Sequence, residues 1–127
     1  MFFTFLESII QIEIDNSRRI LYALTDKSSI SVYDLGHDGQ SMSKICTRNL
    51  NSITQNASSV ARTVDQNTFK PIVAISALES SDSVNIHLVA ITKCGVRFYF
   101  TTTSFNNSIQ RPYTLNLVHI RMPPGFT

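Results

Sequence analysis

Two stretches of this chain carry one pattern: Leu21-Tyr22-Ala23-Leu24-Thr25-Asp26-Lys27-Ser28-Ser29-Ile30-Ser31-Val32-Tyr33 and Leu88-Val89-Ala90-Ile91-Thr92-Lys93-Cys94-Gly95-Val96-Arg97-Phe98-Tyr99. Each reads as strand, tight polar turn, strand, about 66 positions apart, the second with a turn one residue shorter. Each is preceded by an apolar or alternating run and followed by a β-rich one. Four-strand units repeated at such a period are the signature of propeller blades. A blade cannot bury both of its faces alone, so two blades imply neighbours and a larger scaffold.

Working outward, Ile10, Ile12 and Ile14 alternate with Gln11, Glu13 and Asp15, the period of a half-buried strand with its isoleucines inward. Asn16-Ser17-Arg18-Arg19 is turn chemistry, and a weaker strand at about Met42 to Thr47 ends the first unit. The period then changes. Leu50, Ile53, Ala57, Val60, Ala61 and Val64 share one helical face, and Asn49, Asn51 or Ser52 suits the cap. After Pro71, Ile72 to Leu78 is apolar on both faces, as an inner strand is. Leu115 and Leu117 alternate until Val118 and Ile120 take over the phase, which predicts a β-bulge near Leu117-Val118. The expected fold class is all-β. It is a partial β-propeller in one domain, 1–127, with four-stranded antiparallel blades at about 8–49 and 70–122 and one short connecting helix at about 51–63.

Composition agrees and excludes other classes. The chain is 43% hydrophobic and only 16% charged, against roughly 25% charged in soluble domains. It therefore has a core to bury and little charge to cover its outside. A net charge of +2, with scattered Lys and Arg, lacks the basic stripe of a nucleic-acid binder. Cys46 and Cys94 form no metal-ligand spacing and no disulfide framework, so both are read as reduced, intracellular thiols. Asn56-Ala57-Ser58 and Asn106-Asn107-Ser108 match the glycosylation triplet, as chance allows in so Asn- and Ser-rich a chain. The start, Met1 to Glu7, has no basic flank or cleavage site of a signal peptide, and no run reaches the length of a membrane-spanning helix.

No catalytic constellation emerges. His37, His87 and His119 have no ligand spacing, and no nucleophile elbow or phosphate-cradling glycine loop is present. His87 reads as a satisfied strand histidine. Cys94 sits in a turn beside Lys93, whose charge favours a thiolate, but an ordinary turn thiol is the preferred reading. Asp34 of Tyr33-Asp34 is expected to cap backbone N–H groups. The expectation is no enzyme, no metal and no cofactor.

Several segments, in their order and spacing, resemble the large inner-ring scaffold nucleoporins of the nuclear pore complex. They are Ile10 to Arg18, Val32 to Gly36 with Asp38-Gly39-Gln40, Ala61 to Asp65 with Phe69 to Val73, Gly95 to Phe100, and Val118 to Phe126. Members of that family join an N-terminal propeller to a helical solenoid, and this chain matches about two blades of the propeller. The resemblance implies a structural constituent of the pore's inner ring that supports nucleocytoplasmic transport at the nuclear envelope. The implied partners are other inner-ring nucleoporins, with no direct nucleic acid and no small-molecule substrate. It also implies peripheral contact with the pore membrane, since a propeller loop just upstream of the strand resembling Ile9 to Asp15 binds membrane in such proteins.

Phe2, Phe3, Phe5 and Leu6 would carry that contact, although a strand or exposed terminus is the preferred reading of this segment. The nearly uncharged polar face of the helix also suits a curvature-sensing lipid helix, but its alanines favour a connector packed on the blade edge. The alternative function is a generic propeller module that recruits a protein outside the pore. In either case two unpaired blades with little surface charge predict a chain that is marginal or oligomeric when alone.

Overall fold

A computed structural model of the chain describes residues 7–36, 42–49, 52–53, 71–102 and 114–123. Strands β1 (Ile9–Asp15), β2 (Ile20–Thr25), β3 (Ile30–Asp34) and β4 (Ser43–Arg48) form one antiparallel sheet in sequence order. Strands β5 (Ile72–Ala77), β6 (Leu88–Thr92), β7 (Arg97–Thr101) and β8 (Asn116–Arg121) form a second of the same order. The expected pair of four-stranded blades is therefore present. The helix expected at 51–63 lies outside the described residues except for Ser52 and Ile53, which are helical. There the Ile53 amide donates to the Asn49 carbonyl, and the Ser52 amide donates to Asn49 Oδ1, so Asn49 is the N-cap.

The repeat extends to the register. Thr25 N–H donates to the Ser29 carbonyl across the first turn, and Thr92 N–H to the Val96 carbonyl across the second. The expected shortening of the second turn is therefore absent. Matching Tyr33 with Tyr99 by identity joins residues on opposite faces. Tyr33 pairs with Leu21 while Phe100 pairs with Leu88, so the pleat equates Tyr33 with Phe100. Ser28 (φ 62°) occupies the place of Gly95 (φ 90°), where a Cβ would also stand 3.3 Å from Pro123 Cβ.

Both sheets carry bulges in the same two places. Ile10 is skipped between β1 and β2, as Val73 is between β5 and β6. Ile45 is skipped on β4, as Val118 is on β8, which is the phase slip expected near Leu117-Val118.

The two sheets pack face to face over a single core. Ile20, Tyr22, Leu24, Ile30 and Val32 come from the first sheet. Ile75, Leu88, Ala90, Phe98, Phe100 and Ile120 come from the second. Strand β1 departs from expectation. Its isoleucines face outward, with Ile10 and Ile12 51% and Ile14 47% exposed, while Asp15 is fully buried. The alternation was read correctly and its inward face was not. Strand β5 presents unpaired edge amides to β1, and Gln11 and Glu13 point inward to satisfy them. Burying isoleucines there would have left those amides without partners.

Candidate interaction site

The described part of the molecule offers two kinds of contact surface: a polar seam between the sheets and the outer face of each sheet. The seam begins with Gln11, whose side-chain amide behaves as a strand backbone would. Its Nε2 donates to the Ile75 carbonyl at 2.6 Å, and its Oε1 accepts the Ile75 N–H at 2.8 Å. Glu13 Oε1 accepts the Ala77 N–H at 3.1 Å. At the opposite turn, Ser28 Oγ accepts the Ile72 N–H at 2.9 Å.

Beyond Glu13 lies a buried ion pair. Arg18 Nη1 donates to Asp15 Oδ2 at 2.7 Å and to the Leu78 carbonyl at 2.7 Å, and Nη2 donates to the Ser83 carbonyl at 2.8 Å. Asp15 Oδ1 also accepts from Ser17 Oγ and the Arg18 amide. Burial raises the Asp15 pKa, but the hydrogen bonds from Ser17 and Arg18 and the guanidinium charge outweigh it, and the net direction is downward. Arg18 thus ties the β1–β2 turn to the loop leaving β5. Sequence reading had placed it in a turn without a role.

His87 is buried on the other side of this seam. The Thr102 N–H donates to His87 Nδ1 at 3.0 Å, so Nε2 carries the proton and donates to the Val84 carbonyl at 3.1 Å. The Thr102 hydroxyl is also 2.6 Å from Nδ1. The Tyr22 hydroxyl is also buried, with no hydrogen-bond partner among the described residues. Burial lowers the His87 pKa, and the Arg18 charge adds to this, against smaller opposing effects from the Val84 carbonyl and Asp15.

The sign for stability follows. The unfolded chain binds a proton at His87 more readily than the folded one, so stability is lost as pH falls below about 6.5. Asp15, with its lowered pKa, removes more once pH falls below about 4. A urea midpoint that declines from pH 7 to 5 in the native chain, with that decline flattened in His87→Gln, is the expected result.

The remaining sequence candidates separate. His119 is exposed on β8 with its ring tilted against that of Tyr99 at 5.5 Å between centroids, whereas His87 is buried just before β6, with β7 between them. Asp34 Oδ1 accepts the Gly36 N–H at 2.9 Å, the capping role expected of it. Cys46 is half-buried, which pushes its thiol pKa up, and Cys94 is exposed. His37 and the membrane candidates Phe2, Phe3, Phe5 and Leu6 lie outside the described residues. Among the described residues, no group of three or more His, Cys, Asp or Glu is placed to hold a metal ion.

The sequence profile of the family described as Nup133 N terminal like matches residues 2–127. The chain is 35% identical to nuclear pore complex protein Nup154 of Drosophila melanogaster, covering 98% of this chain and 11% of that protein. It is 30% identical to nucleoporin NUP170 of Saccharomyces cerevisiae, covering 94% of this chain and 8% of that protein. Its fold is similar to that in a crystal structure of the Chaetomium thermophilum Nup170 N-terminal domain in complex with Nup53, with a TM-score of 0.84 at 23% identity. That likeness covers 98% of this chain and 18% of the solved one.

Proposed function

The chain belongs to the Nup133 N-terminal-like family of nucleoporins, and from that premise we propose that it is a structural element of the nuclear pore complex scaffold. It contributes two propeller blades, works by shape and contact without catalysis, and resides at the nuclear envelope. The observation that carries this reading is the extent of the match, residues 2–127, to nuclear-pore proteins about ten times longer, of which the chain spans 8–11%. The geometry supports it: Gln11, Glu13, Arg18 and Ser28 all spend side-chain polar groups on joining one sheet to the other. Its partners are other inner-ring nucleoporins, by analogy with the similar Chaetomium thermophilum domain solved in complex with Nup53. The generic module outside the pore is not favoured, because the matched relatives are nucleoporins.

The test is localisation and capture. A tagged full chain expressed in cells is expected at the nuclear rim and in complex with inner-ring nucleoporins. Uniform cytoplasmic distribution, or capture of no nucleoporin, would overturn the assignment.

Contact with the pore membrane belongs to the same reading and is assigned to Phe2, Phe3, Phe5 and Leu6. A net charge of +2 gives little electrostatic attraction, at about 1 kcal/mol per basic residue near an anionic surface. Liposome flotation of the chain is expected to be weak, to persist at high salt and to fall in Phe2→Ser/Phe3→Ser. Binding abolished by salt would point to a different contact.

A further inference from the structure

Ser17 makes one bond within the β1–β2 turn and one across the seam. Its Oγ donates to Asp15 Oδ1 at 2.6 Å and accepts the Ser80 N–H at 3.0 Å, so a single hydroxyl links the turn of the first sheet to the loop leaving β5 in the second. The hydroxyl proton matters most to Asp15. That carboxylate is fully buried, and its donors among the described residues are the Ser17 hydroxyl, the Arg18 amide and the Arg18 guanidinium. Ser17 itself is exposed. An accessible hydroxyl therefore supplies a proton on which a buried charge depends.

The residues after Ser17 are equally particular. Arg18-Arg19 is the only pair of adjacent basic residues in the sequence, and Ser17 is the only serine followed directly by arginine. In the closed turn both cations are engaged. Arg18 spans Asp15 and the Leu78 and Ser83 carbonyls with 16% of its side chain exposed, and Arg19 Nε donates to the Gly36 carbonyl at 3.2 Å. Arg19 also holds φ at 57°, a left-handed conformation that is strained for a residue with a Cβ. Opening the turn relieves that strain and presents Ser17-Arg18-Arg19 as an extended basic segment.

From this arrangement we propose that Ser17 is a phosphorylation site for a protein kinase that selects basic residues after its target serine, and that phosphate there releases the Arg18 clamp between the sheets. In the transfer, Ser17 Oγ bonds to the γ-phosphorus of ATP as the bond to the bridging oxygen breaks. ADP leaves, and the hydroxyl proton passes to the kinase's base. The product has no proton to give Asp15 and carries about −1.5 to −2 charge at pH 7. That charge stands beside the carboxylate which Oγ touches at 2.6 Å. The cation already bound to Asp15 is Arg18, whose planar fork suits phosphate bidentately. Once Arg18 turns to the phosphate, the Leu78 and Ser83 carbonyls lose their donor, and the two sheets lose this tie. The kinase acts on the opened turn, and the phosphate keeps it open. The inference uses only the junction between the two sheets and does not rest on the pore assignment.

The experiment incubates the full chain with ATP, Mg²⁺ and the catalytic domain of a kinase selective for serine followed by arginine. Mass spectrometry maps the product, and urea denaturation compares the chain before and after. Ser17 is expected to be labelled, the urea midpoint to fall, and a phosphatase to restore it. No label on Ser17, or a labelled chain with an unchanged midpoint, overturns the proposal. Ser17→Asp separates charge from simple loss of the hydroxyl. At pH 7 it is expected to raise the unfolding equilibrium constant about ten- to a hundredfold, the range for losing a hydrogen bond to a charged group. In an Asp15→Asn background the same change is expected to shift it less than about threefold, because no carboxylate remains to be repelled. An equal penalty in both backgrounds overturns the release mechanism and leaves Ser17 a turn-capping residue. Where a variant does not fold, the phosphorylated native chain carries the test. Its deficit at pH 7 is expected to narrow at pH 4, where the phosphate and the repelled Asp15 both take up protons. A deficit equal at the two pH values overturns the proposal.

Discussion

Replacing Arg18 with Met is expected to cost the fold about 3–5 kcal/mol, the range for removing one partner of a buried charge pair. The guanidinium is the only basic group bound to Asp15 among the described residues, and the Asp15 side chain is fully buried. Without it the Leu78 and Ser83 carbonyls also lose their donor. The effect has a signature that simple loss of packing lacks. In the native chain Asp15 stabilises above its unfolded pKa and loses that contribution as pH falls. In Arg18→Met the uncompensated carboxylate is the source of the penalty, so the penalty shrinks once acid neutralises Asp15. Urea denaturation of both chains at pH 7 and pH 4 measures this. An equal difference at the two pH values would show that Arg18 acts through its aliphatic stem instead.

Phe98→Ala is expected to cost a similar amount, about 3–5 kcal/mol, for a different reason. The Phe98 ring is fully buried, lies between Ala90 and Ile120 in the ladder, and packs against Phe100 at 6.3 Å between ring centroids. Its removal opens a cavity in the centre of the core between the sheets. Val118→Ala provides the control, because Val118 is the bulged, 45% exposed residue of β8 and its loss should stay within about 0.5 kcal/mol. Comparable losses in the two variants would mean that the core is not centred on Phe98.

The hairpins were legible because their information is local. A period of two, a polar turn and a second period of two lie within thirteen residues at Leu21 to Tyr33. The bulge at Val118 was legible for the same reason, as a slip of phase within one strand. What failed was anything that depended on the neighbouring sheet. Alternation along Ile10 to Asp15 defines two faces but does not say which one is covered, and hydrophobicity pointed to the wrong one. The deciding partners, Ile75 and Ala77, lie more than sixty positions away in sequence. Arg18 was invisible as a clamp because its acceptors are backbone carbonyls, which every sequence has. His87 was readable only as far as being satisfied. Its acceptor and donors come from Val84 and Thr102, and only the fold brings Thr102 to it.

Gln11 has a consequence for how blades find their order. Apolar contacts between sheets are permissive: an Ile face accepts most other apolar faces of similar shape. A side-chain amide that pairs with both polar groups of one residue is selective, because it accepts only an edge whose free N–H and C=O stand at that height. Glu13 and Arg18 repeat the demand at successive positions along the same edge. Together they act as an address. The apolar layer supplies the adhesion, and the row of polar matches tells each blade which neighbour is its own.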